Sequence, residues 1–109
     1  MSNKSLVTVL SLLAFCGAAM AQTPAQTWRE THPRRAEVNA RLDRQNARIH
    51  HELKSGEITP QQAATLHRED HQIRREERQM AALNGGHITR AEQQALNQQE
   101  NAVSRQIGK

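Results

Sequence analysis

Between Pro33 and Ile107 the aliphatic residues recur at helical spacing, and nowhere do they alternate with polar ones as a half-buried strand would require. Val38, Leu42, Ile49 and Leu53 are separated by four, seven and four positions, which gathers them on one helix face. Leu66, Ile73 and Met80 follow a heptad apart, with Leu83 counted to the same side. Glu69 and Glu76 fall where a full coiled-coil repeat would carry apolar residues, so this seam reads as thin. Leu96, Val103 and Ile107 form a third stripe. Ala, Arg, Glu, Gln and Leu, all favourable helix formers, fill most positions between. The pattern predicts helices over about 34–54, 60–84 and 90–107.

Turn chemistry falls between these stripes. Gly56 and Gly86 are expected to take the left-handed conformation that closes a helix C-terminus. Thr59-Pro60-Gln61-Gln62 and Thr89-Arg90-Ala91-Glu92 each read as a capping box, in which a threonine and a residue three positions later satisfy each other's exposed amides. The second turn repeats the first thirty residues on, and the echo reaches outward through Arg44 and Arg74, Arg48 and Arg78, and Leu66 and Leu96. Short connections make neighbouring helices antiparallel. The expected fold is all-α: three antiparallel helices running up-down-up, built from a tandem helix-turn-helix repeat within residues 33–109. Residues 22–32, with Pro24 and Pro33, read as a flexible leader.

Ahead of that leader lies an address. Met1 to Lys4 is a short basic start, Leu6 to Ala19 is an apolar run, and Ala19-Met20-Ala21 is a small-x-small cleavage pattern. The run is short of the roughly 20 apolar residues that span a bilayer. Residues 1–21 therefore read as a signal peptide cut after Ala21, and the product as periplasmic or secreted. Leu13 to Gly17 resembles a lipobox around Cys16, although Phe15 is large where that pattern carries a small residue. Cys16 is the only cysteine, so cleavage after Ala21 removes disulfide and thiolate chemistry altogether.

Charge and composition narrow the functions. The chain carries a net charge of +4 with arginine dominant, but acids are interleaved. Glu30–Arg34, Glu37–Arg41 and Asp70–Arg74 sit four apart, as on a solvated, salt-bridged helix face. Nucleic-acid binding is disfavoured, because export removes the partner and the processed chain keeps only Trp28 for stacking. An anionic lipid surface is the acidic partner most compatible with the charge. No Gly-x-Ser-x-Gly or phosphate-cradling glycine loop is present, so the chain reads as non-catalytic and without a cofactor.

Two constellations suggest metals. Gly-x-Ile-Thr resembles the back half of a calcium loop, but Ala81, Leu83 and Gly85 stand where its first oxygen ligands belong, and capping accounts for Thr59 and Thr89. His67 and His71 lie one helical turn apart, and an antiparallel turn brings His50 towards them. His50, His67 and His71 are thus candidate ligands for Zn, Cu(II) or Ni, the alternative function.

Ile58-Thr59-Pro60-Gln61-Gln62 resembles the Leu-Thr-x-x-Gln motif of the Spy/CpxP family of periplasmic stress proteins, and Ile88 to Glu92 is similar with Glu for Gln. That resemblance implies a cradle-shaped helical dimer acting as an ATP-independent chaperone or stress sensor. Most of the processed chain also resembles uncharacterised short exported bacterial proteins with Gly-x-(Leu/Ile)-Thr repeats, which imply no activity. The leading expectation is an exported, non-catalytic helical protein that binds protein clients or an envelope partner, with homodimerisation compatible with its long helices. Its client surface would be Leu42, Ile49, Leu66, Ile73 and Met80, flanked by Arg41, Arg48, Arg74 and Arg78.

Overall fold

The computed structural model describes residues 22–107, all helix and connections with no strand among them. Residues 1–21, read from the sequence as a signal peptide, lie outside the described residues, and Cys16 with them. Among the described residues there are four helices rather than three: α1 (Pro24–Thr31), α2 (Pro33–Ser55), α3 (Pro60–Leu83) and α4 (Arg90–Gln106). None of them is long and apolar enough to cross a membrane.

The additional helix lies within residues 22–32, where hydrophobic spacing predicted none. Thr23 and Gln26 form a capping box: Gln26 N–H donates to Thr23 Oγ1 at 3.1 Å, and Thr23 N–H donates to Gln26 Oε1 at 2.9 Å. Pro24 supplies the first helical residue, where its missing N–H costs nothing. Pro33 ends α1, since a proline disfavours helical geometry in the residue before it; His32 accordingly has φ −132° and ψ 60°. The chain divides into two compact units at this point, one ending at Thr31 and one beginning at His32.

In the second unit α2, α3 and α4 each pack against both others. Side-chain bonds give their directions. Gln93 bonds to Glu37, Arg41 to Asn101 and Arg48 to Ser104, so numbers rise together along α2 and α4. Asn46 meets His67 and Asp43 meets Arg74, so α3 runs opposite to α2. The core comprises Val38, Leu42 and Ile49 from α2, Ala63, Leu66, Ile73 and Ala81 from α3, and Leu96 and Val103 from α4. Ile58, Ile88 and Ile107 close it from the connections and the end of α4. Leu83 does not join this seam: it is 84 % exposed, and Ala81 takes the inward position.

Both turns are specified locally. After α2, Glu57 N–H donates to Glu52 O at 2.9 Å and Gly56 N–H to Leu53 O at 3.2 Å, the paired bonds of a Schellman motif around Gly56 at φ +84°. After α3 the long bond runs from Gly86 N–H to Ala81 O at 2.7 Å, so the left-handed cap falls on Gly85 at φ +65° and not on Gly86. Gly86 adds a second left-handed residue at φ +95°. Thr59 and Thr89 start the following helices with capping boxes, their hydroxyls accepting from Gln62 and Glu92 at 3.1 Å. Asn84 Nδ2 ties the second turn further, donating to Met80 O at 3.2 Å and Glu92 Oε1 at 3.1 Å.

A Cβ on Gly56 would meet nothing within 4 Å, so its substitution tests backbone conformation alone. Gly56→Ala is expected to lower stability by about 1 kcal/mol, the cost of a left-handed alanine, with far-UV circular dichroism at low temperature unchanged. An unshifted melting curve would deny Gly56 that role.

Candidate functional site

The feature with most chemical content lies inside the bundle. Heptad counting with a step of four after each apolar anchor leads from Leu66 to Asp70, from Ile73 to Glu77 and from Leu96 to Glu100. These carboxylates face inward, with Asp70 2 % exposed and Glu77 and Glu100 fully buried. On α2 the inward polar residue is Gln45, also 2 % exposed, seven residues after Val38 and so at an anchor position itself. The thin seam attributed to Glu69 and Glu76 is therefore one residue out of register; both sit at the partly covered flank.

Two of the buried acids influence each other. Gln45 Nε2 donates to the Glu100 backbone carbonyl at 2.7 Å, joining α2 to α4, and the charge of Asp70 on α3 acts on Glu100. Among the described residues no donor reaches either oxygen of Asp70, either oxygen of Glu100, or Gln45 Oε1. Arg41 Nη1 stands 4.0 Å from Glu100 Oε1, while its Nη2 donates to Asn101 Oδ1 at 2.5 Å. Burial pushes the Asp70 carboxyl up to about 6, with Arg74 opposing and Glu69 reinforcing. Burial likewise pushes Glu100 up to about 7; Arg41 opposes this, Asp70 reinforces it, and Arg44 and Glu37 add smaller effects of opposite sign.

Glu77 is treated differently by the fold. Arg35 Nε binds its Oε2, and Arg35 Nη1 donates to Gly86 O at 3.0 Å. One guanidinium thus fastens α2 to α3 and to the turn that follows.

The residues expected to form a client surface are placed elsewhere. Leu42 and Ile49 are fully buried, Leu66 and Ile73 are 2 % exposed, and Met80 packs against the same core. The helical spacing that would line a groove here lines the interior, so none of the four aliphatics is open to another chain in the closed bundle. The flanking arginines are helix-to-helix ties as well. Arg48 donates to Ser104 Oγ at 3.1 Å and Ile107 O at 3.0 Å, and Arg74 binds Asp43 Oδ1 at 3.0 Å. Arg78 is exposed.

Of the three candidate histidines, two are brought together. His50 and His67 meet edge to face with ring centroids 6.4 Å apart. His67 Nδ1 lies 3.0 Å from Asn46 Oδ1, which fits an N–H donated to the amide oxygen. His71 is exposed, and among the described residues no three His, Cys, Asp or Glu side chains converge on a metal position. His67 is held below the ordinary histidine range by burial first and then by the charges of His50 and His71. One further ring pair lies at the entry to α2, where His32 stacks on His87 at 4.6 Å.

The exterior offers shallow relief. A groove of about 550 Å³ between α3 and α4 is lined by Gln61, Gln62, Thr65, Leu66, Arg105 and Gln106. It brings together no nucleophile, base and orienting group of the kind that defines a catalytic constellation. No family model matches the chain, and neither a curated protein nor a solved structure matches it.

Proposed function

We propose that this is an exported, non-catalytic helical protein that binds other macromolecules, acting on partly unfolded protein clients without ATP. The observation that supports this reading is the interrupted core. Leu42, Ile49, Leu66, Ile73, Leu96 and Val103 form a continuous apolar store, and Gln45, Asp70 and Glu100 cut across it with oxygens that no protein donor satisfies. Unpaired buried polar groups each cost about 1–3 kcal/mol, so the middle of the bundle is its weakest level. The reading therefore places client capture in an opened bundle, where the aliphatics that hold the monomer together face a client instead. The arginines would then be released from their cross-helix bonds to meet acidic chain.

Export belongs to the same proposal and rests on residues 1–21. So does the tandem-repeat origin of the two turns. Their matching capping boxes support it, and the cap displaced from Gly86 to Gly85 marks where the copies differ.

The test is aggregation of a denatured client, followed by light scattering without nucleotide. Stoichiometric protein is expected to suppress scattering, more strongly under conditions that loosen the bundle. A scattering curve left unchanged at low and moderate salt would end the chaperone reading.

A further inference from the structure

Three helices each bury one polar side chain: the Asn46–His67 and Asp43–Arg74 contacts set Asp70 of α3 across from the Gln45 stretch of α2, and Gln45 bonds to the Glu100 carbonyl of α4. If both carboxyls were ionised there, each would bear its own desolvation and the repulsion of the other. A proton removes both costs. It also supplies what the layer lacks, since a neutral carboxylic acid carries an O–H donor that an unsatisfied oxygen such as Gln45 Oε1 can accept.

We propose that Gln45, Asp70 and Glu100 form a proton-held latch: neutral carboxyls close α2, α3 and α4 over one another, and loss of their protons loosens the bundle at this level. The charged groups around the layer temper the latch without replacing it. From α2, Arg41 approaches Glu100 only to 4.0 Å and Arg44 acts from further out, while Glu37 favours the proton. On α3, Arg74 opposes ionisation costs at Asp70 but is bonded to Asp43, and Glu69 favours the proton. Neither arginine donates a hydrogen bond to Asp70 or Glu100. On α4, Glu100 is itself the buried acid facing Asp70.

The sign follows from proton counting. Carboxyls neutral in the folded chain but ionised in the unfolded one mean that folding takes up protons, so stability falls as pH rises. The contribution is complete below the unfolded values of 3.8 and 4.5 and is lost as pH passes about 6 and about 7. His67 works the other way: its depressed value makes the unfolded state take up a proton as pH falls below 6.5. This latch is a property of the bundle and stands whether or not the opened helices capture clients.

The experiment is urea unfolding of the full chain, followed by far-UV circular dichroism from about pH 5 to about pH 8. It is run on a His67→Gln background to silence the opposing titration. The folding constant is expected to fall about tenfold per pH unit for each proton retained. Asp70→Asn/Glu100→Gln should flatten that dependence and raise the midpoint above the parent's at the alkaline end. Should the double variant fail to fold, carboxyl ¹³C titration of the parent decides, with two carboxyls expected to titrate well above the rest. Parent stability flat across the range, or all carboxyls titrating together, would overturn the latch. So would stabilisation at the alkaline end by Mg²⁺ or Ca²⁺ that the double variant loses, because a cation and not a proton would then neutralise the pair.

Discussion

Arg35→Ala is expected to destabilise the protein by about 3–5 kcal/mol, the usual cost of leaving a buried partner charge unpaired. Glu77 is fully buried, and its Oε1 already lacks a donor, so removing Arg35 strips the carboxylate of its one charged partner among the described residues. The same change frees Gly86 O from its bond to Arg35 and loosens the turn into α4. Small domains hold only about 5–15 kcal/mol in all, so the loss takes a large share of the total and should move the unfolding midpoint well below the parent's. Chemical denaturation at neutral pH measures this directly. Arg35→Met/Glu77→Met should recover much of the loss, because an apolar pair of similar volume needs no solvation. A loss under about 1 kcal/mol in Arg35→Ala would class the pair with exposed salt bridges and contradict its burial.

Leu42→Ala is the second large effect. Leu42 is fully buried and follows Val38 at one helical turn, facing α3 and α4 at the centre of the core. Truncation should cost about 2–5 kcal/mol from lost transfer energy and the cavity left behind. Leu83→Ala, at the 84 % exposed position, should change stability by no more than about 0.5 kcal/mol. The contrast separates two roles for one stripe. Were Leu42 a standing client surface, its truncation would reduce client binding and leave thermal melting in place; a shifted melt shows that its first duty is holding the monomer.

The helices of the second unit could be read from spacing and turn chemistry, because glycine, threonine and proline act on the backbone next to them. Helix α1 carries the same signal, Thr23-Pro24-Ala25-Gln26 beside Thr59-Pro60-Gln61-Gln62, but no apolar stripe follows it, and a reading led by hydrophobic spacing passes over it. The buried acids were hidden for a related reason. An acid four residues after an apolar anchor looks solvated until the helix on its other side is placed, and Asp70, Glu77 and Glu100 are each covered by helices distant in sequence. Spacing alone also cannot distinguish an aliphatic face turned inward from one lining a groove, so Leu42, Ile49, Leu66 and Ile73 fitted both. His50, His67 and His71 depended on rotation about three separate side-chain axes, which no linear pattern encodes.

The turns and the latch differ in how far along the chain their bonds reach, and this separates closing from opening in time. The Schellman bonds and capping boxes join residues within five positions of one another, whereas Gln45 and Glu100 are 55 apart. Closing a longer loop costs more chain entropy, so the corners form early and the layer between α2 and α4 is among the last contacts made. Interactions that form after the rate-limiting step govern how quickly a protein opens and leave its speed of closing nearly untouched. Protons at Asp70 and Glu100 would therefore set how long the bundle stays shut, while the glycine and threonine corners set how fast it returns.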